Sequence, residues 1–177
     1  MKIKNVKNKL FVLVLLICFI YVYFGNAGTV TLAVEQTKET NNAGEILQGM
    51  EVGQSFYSNF NNICGFSLKL ATYMRTNKGK IEVGIKDLNN NNIVFSSEIS
   101  TESIKDNDFI NLRFPPIKFS KGKRYYLFVK SLDSTPGNAI TTYINEEDSY
   151  SEGELYLNGI KKKGELVFKV YYNKTFI

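Results

Sequence analysis

Leu166-Val167-Phe168-Lys169-Val170-Tyr171-Tyr172, close to the end of this 177-residue chain, sets Leu166, Phe168, Val170 and Tyr172 on one face of an extended segment and Val167, Lys169 and Tyr171 on the other. A period of two is that of a half-buried strand. The same period recurs upstream. Phe66, Leu68 and Leu70 alternate with Ser67, Lys69 and Ala71; Ile81, Val83 and Ile85 with Glu82, Gly84 and Lys86; Ile110, Leu112 and Phe114 with Asn111 and Arg113. Turn signals separate the runs: Asn77-Lys78-Gly79, 89–92, Pro115-Pro116, Lys121-Gly122-Lys123, Pro136-Gly137-Asn138 and Asn158-Gly159. Only 100–106 resembles a helix in this part of the chain, and it is short and polar. Nine or ten short strands of this spacing predict an all-β fold, an antiparallel two-sheet sandwich over residues 45–177.

The amino terminus reads differently. Lys2, Lys4, Lys7 and Lys9 precede an unbroken apolar run, Leu10 to Phe24. A basic start followed by such a run is a membrane-targeting segment. Gly25-Asn26-Ala27 supplies a small-x-small site, and cleavage after Ala27 would release a secreted domain. The alternative is a retained anchor. It needs about 20 apolar residues, which Gly28–Val34 would complete to span residues 10–34. The anchor is the favoured reading, with Tyr21 and Tyr23 at the outer interface and the carboxy-terminal domain outside the cell membrane. The bulk of Ile17 disfavours lipidation at Cys18. Glu35–Gly44, polar and without aromatics, reads as a solvated linker of residues 35–44.

Composition then narrows the chemistry. The chain carries 22 basic and 17 acidic residues, a net charge of +5. Setting aside the four leader lysines leaves 18 basic against 17 acidic, a net of +1. The basic balance therefore belongs to the leader and indicates no nucleic-acid partner. Histidine is absent, which removes Ser-His and Cys-His catalysis and the commonest transition-metal ligand. Cys64 is the lone cysteine beyond the leader, so the domain forms no internal disulfide. Tryptophan is absent too, leaving 11 tyrosines and 13 phenylalanines as aromatic surface.

Several segments together resemble a known class of domain. They are Gln54-Ser55-Phe56; Leu70-Ala71-Thr72-Tyr73-Met74-Arg75-Thr76-Asn77; Phe114-Pro115-Pro116-Ile117; Ser120-Lys121-Gly122-Lys123 and Tyr125-Tyr126-Leu127. Asn138–Thr141, Gly153–Gly159 and Gly164–Tyr172 complete the set. The pattern resembles the jelly-roll accessory domains of bacterial and archaeal surface proteins, which look like carbohydrate-binding modules of the galactose-binding-like type. The resemblance runs over about Ile46–Asn173 and implies a binding or accessory role. It also implies a structural calcium near the meeting of first and last strands. Glu45 or Glu51 with Glu165 would be its ligands, Gly164-Glu165 standing where many members carry Gly-Asp.

Residue chemistry suggests where a sugar would lie. Carbohydrate recognition needs an aromatic face beside amide or guanidinium donors. Tyr73 with Arg75 and Asn77 is the first such group, and Tyr143 with Asn145, together with Tyr150, the second. The acidic clusters Asp106/Asp108, 146–148 and Glu152/Glu154 fall in turns and read as solvated carboxylates rather than a glycosidase pair. Lys161-Lys162-Lys163 reads as a solvated hairpin loop. The expectation is a membrane-anchored extracytoplasmic module that binds a cell-surface glycan or assists polysaccharide assembly, with no catalysis and no required cofactor beyond that calcium. The alternative is a non-catalytic subunit docked on another membrane protein.

Overall fold

In a computed structural model that describes residues 2–23, 28–147 and 149–175, the alternating runs become the strands of two antiparallel sheets. Residues 25–27, expected as a cleavage site, and Asp148 lie outside the described residues. Helix α1 (Lys2–Tyr23) is followed by β1 (Thr29–Gln36), β2 (Asn41–Asn42), β3 (Glu51–Tyr57), β4 (Ile63–Ala71), β5 (Lys80–Asp87) and β6 (Asn92–Ser100). After a single 3-10 turn at Thr101–Ser103 come β7 (Asp108–Ile117), β8 (Arg124–Ser131), β9 (Thr141–Asn145), β10 (Leu155–Leu157), β11 (Ile160–Lys162), β12 (Glu165–Leu166) and β13 (Phe168–Lys174).

One sheet runs β1-β13-β4-β9-β12, with β2 on β9 and β7 on β4; the other runs β11-β10-β3-β8-β5-β6. The alternation explains the core. Phe66, Leu68 and Leu70 of β4 and Phe168 and Val170 of β13 meet Ile81, Val83 and Ile85 of β5 and Tyr125, Leu127 and Val129 of β8, all buried. Phe56 bridges the sheets, its ring 5.7 Å from that of Tyr125 and 6.5 Å from that of Phe168. An apolar face this continuous is the main favourable term in holding two sheets together.

Three local expectations change. Gly28–Val34, expected to prolong the apolar helix, instead supplies most of edge strand β1, which runs on through Glu35 and Gln36 of the expected linker and pairs with β13 from Thr29↔Lys174 to Gln36↔Phe168. Alternating Thr and Val suit a pleated strand, and β13 would otherwise present an open edge. The segment 35–44 is no free linker. Thr40 and Ala43 bond Ile144 and Thr142 through the backbone, Asn41–Asn42 pair with β9, and Gln36 is buried with its amide on Leu166 O. Pro115-Pro116, expected as a turn, lies inside β7, where the register steps from Ile63↔Ile117 to Gly65↔Arg113. An edge strand tolerates prolines at such an irregularity, because it need not donate on both sides.

Helix α1 is long and apolar enough over Val6–Tyr23 to cross a bilayer, either as an anchor or as a signal sequence. Its 22 residues span about 33 Å at 1.5 Å per residue. The antiparallel registers put the start of β1, the start of β4 and the ends of β7 and β13 at one end of the sandwich, next to the helix exit. The end of β4 at Ala71 lies at the opposite pole, about 30 Å away at 3.3 Å per residue.

Candidate functional site

Beyond Ala71 the chain turns through two consecutive left-handed residues, Tyr73 and Met74, both at φ 57°. Bulky residues rarely hold this conformation, and each instance costs on the order of 1 kcal/mol or more. The compensation comes from Asp106. Its carboxylate accepts the Thr72 N–H at 2.5 Å and the Thr72 hydroxyl at 3.0 Å, and the N–H groups of Met74 and Tyr73 point at it too. The Thr72 N–H leads these donors in holding the Asp106 carboxyl below its ordinary range. The turn is thus a small anion nest with its anion supplied by the protein.

That turn aims two side chains. The Tyr73 ring lies 4.9 Å from the Arg75 guanidinium, and its hydroxyl donates to Asn42 Oδ1 at 3.1 Å. Arg75 in turn donates to Glu45 Oε1 at 2.7 Å and to Ala139 O at 3.1 Å, while the Gly137 N–H reaches both Glu45 oxygens. Arg75 and then Gly137 hold the Glu45 carboxyl below its ordinary range. Asn77 is buried, its amide on Thr72 O, and so supports the turn from inside.

From β9, Tyr143 approaches the same place. Its ring sits under Lys69 Nζ at 4.8 Å, and its hydroxyl donates to Asn107 Oδ1. Asn107, also left-handed at φ 56°, follows the Asp106 that holds the Tyr73 turn. Tyr73 and Tyr143, with Asn42, Ala71, Met74, Asp106, Asn107 and Thr141, line one cleft of about 280 Å³. Met74 stands at its rim, 91% exposed. Both rings are braced by a cation and a hydroxyl hydrogen bond, so the cleft is pre-formed and apolar-walled with amide and carboxylate oxygens at its margin.

The other expected residues are elsewhere. Asn145 and Glu165 are fully buried and belong together. Glu165 accepts the N–H of Ser149 at 2.6 Å and of Tyr150 at 2.8 Å, the Asn145 amide at 3.2 Å and the Ser149 hydroxyl at 3.3 Å. The Tyr150 ring packs edge-on against Phe168, and burial pushes its hydroxyl up to about 12. Asn145 and Tyr150 therefore hold a loop and present no donors to the Tyr73 cleft.

The three carboxylates expected around calcium do not converge. Glu45 is engaged by Arg75, Glu165 by the 149–150 loop, and Glu51 by the Tyr126 hydroxyl at 3.1 Å and Lys86 at 3.3 Å. Among the described residues no group of three His, Cys, Asp or Glu side chains is placed to hold a metal. The turn carboxylates lie on the surface with local partners: Glu146 with Asn41, Glu147 with Lys38, Glu152 with Asn59 and Glu154 with Lys161. Lys161–Lys163, expected in a hairpin loop, border an open groove with Ser151, Gly153 and Glu154, and Lys161 and Lys162 lie in β11, paired with β10.

The sequence singled out Tyr73 and Tyr143 but presented Asp106 only as a solvated turn carboxylate, whereas that carboxylate holds the Tyr73 turn, and it assigned no positioning role to Asn42, Asn107 or Lys69. The signal for Asp106-Asn107 was present, since Asp and Asn are the residues that cap turns and tolerate left-handed backbone. Asn42 lay in a stretch whose polarity concealed its pairing with β9. No family model and no curated protein matches this chain.

Proposed function

We propose that this chain is a membrane-anchored, extracytoplasmic carbohydrate-binding module without chemistry of its own, and that the Tyr73–Tyr143 cleft receives the sugar. One observation carries the reading: two tyrosines 70 positions apart in sequence wall a single braced cleft whose margin is Asn42, Asp106 and Asn107. Such walls suit the apolar C–H face of a pyranose, and the oxygens and amides at the margin suit its hydroxyls. The cleft is small and open at Met74, which fits a terminal sugar better than the middle of a polymer. Its place at the pole far from the helix points it away from the anchoring membrane and toward the surface glycan layer.

The test is a glycan array probed with the full chain in detergent micelles, alongside Tyr73→Ala and Tyr143→Ala. Saturable binding that both substitutions abolish supports the reading. A flat array from protein with intact β circular dichroism refutes it and leaves docking on another membrane protein as the function.

A further inference from the structure

The end of the sandwich nearest the helix carries exposed apolar groups that the glycan site does not use. Phe119 is 67% exposed, Val30 49% and Phe60 38%. Phe119 sits in the β7–β8 loop at φ 54°, a left-handed conformation that a phenylalanine seldom adopts and that a glycine would occupy at less cost. The loop is not loose. Ser120 Oγ accepts the Ile63 N–H and donates to Phe60 O, the Lys121 N–H reaches Asn61 Oδ1, and the Gly122 N–H reaches Ser58 O. Phe60, in the loop so clamped, stacks on Tyr172 with ring centroids 4.2 Å apart. A rigid scaffold therefore holds two phenylalanines at the solvent boundary, one of them in a strained turn.

Their surroundings indicate what covers them. Lys118, Lys121 and Lys174 are exposed around the same end, with Lys123 half-buried. The helix leaves there as well. Tyr21 of its last turn borders a cavity of about 510 Å³ shared with Val30, Pro115, Pro116 and Asn173. Aromatic side chains ringed by lysines, beside the exit of an apolar helix, match the interfacial zone of a bilayer with anionic headgroups.

We propose that the Phe60/Phe119 end of the sandwich rests on the membrane that α1 crosses. Phe119 enters the headgroup boundary, and Lys118, Lys121, Lys123 and Lys174 face anionic lipid. The inference rests on the anchored reading of α1 and is independent of what the cleft binds. Contact at this end also fixes the orientation of the domain, holding the Tyr73 pole roughly 30 Å above the surface.

The chain lacks tryptophan, so a single substitution gives an unambiguous reporter. Full-length Phe119→Trp and Phe60→Trp, with Met74→Trp at the far pole as control, would be reconstituted into phosphatidylcholine–phosphatidylglycerol vesicles containing lipids brominated near the headgroup. Flotation and intact mass would verify that the helix is retained. The expected result is a blue-shifted emission that loses about half its intensity to bromine at position 119, a smaller loss at 60, and none at 74. Lys118→Glu/Lys121→Glu in the Phe119→Trp background should reduce the quenching. Emission at 119 and 60 indistinguishable from that at 74, in a floating full-length chain, overturns the inference. A chain recovered shortened between the helix and β1 refutes the anchored reading, and this inference with it.

Discussion

Replacing Glu165 with alanine should destabilise the sandwich by about 3–5 kcal/mol, through backbone donors left without an acceptor rather than through any lost metal. The carboxylate is fully buried, and among the described residues no cation pairs with it. Its two short bonds, to the N–H groups of Ser149 and Tyr150, are each of the class that contributes about 1.5–3 kcal/mol. The longer contacts from Asn145 and Ser149 add less, and partial opening of the 146–154 loop to water returns some of the loss. Against a typical total of about 5–15 kcal/mol this is severe, and it should lower the melting temperature by about 8–15 °C. Glu165→Gln keeps one oxygen for the backbone donors but turns an N–H₂ toward the Asn145 amide, so it should cost about half as much. Urea unfolding of the full chain in detergent, followed by tyrosine fluorescence, measures both. A loss below about 1 kcal/mol in Glu165→Ala would refute the account of this loop. So would an EDTA-induced shift of the wild-type midpoint as large as the substitution's, because the carboxylate would then be holding an ion.

Other substitutions probe separate parts of the argument. Gly53→Ala should destabilise by about 1–3 kcal/mol in the same unfolding assay, since its Cβ would lie 2.2 Å from the Tyr126 ring and 2.6 Å from Leu127 O. Ligand binding at the cleft should be steady from neutral pH down to about pH 5 and fall below about pH 4. The Asp106 and Glu45 carboxyls are held below their ordinary values, so their contribution is complete above the unfolded carboxylate range and lost as pH falls through the folded values; Asp106→Asn should weaken binding at neutral pH, and an unchanged affinity would remove the nest from the argument. A chain starting at Gly28 should yield a soluble, cooperatively melting domain, whereas one starting at Thr37 should aggregate because β13 loses its β1 partner; equal behaviour in size-exclusion chromatography would contradict that role for β1.

Alternation along β4, β5, β7 and β13 was sufficient to identify these strands and the side chains they turn to the core, although the run 166–172 divides into β12 and β13 at a buried Val167. Which of Phe66 and Ser67 meets the core depends only on a local period and on which face is apolar. The same holds for α1, since length and composition alone make a segment able to cross a bilayer. What followed from partners distant in sequence was not legible. Gly28–Val34 is apolar enough to read as more helix, and the open edge of β13 is what draws Thr29–Gln36 into a strand. Asn145 and Glu165 look like surface polar residues, yet the 146–154 loop folds over both and turns them into its internal hydrogen-bonding frame. Tyr73 and Tyr143 were separate candidates in sequence. They meet because β4 and β9 pair at Leu70↔Thr142 and because Asp106, from a third segment, holds the Tyr73 turn in left-handed backbone. Local periodicity encodes which face of a strand is buried; the assembly of a cleft depends on which strand ends the sheet brings together, and that is decided only when the core closes.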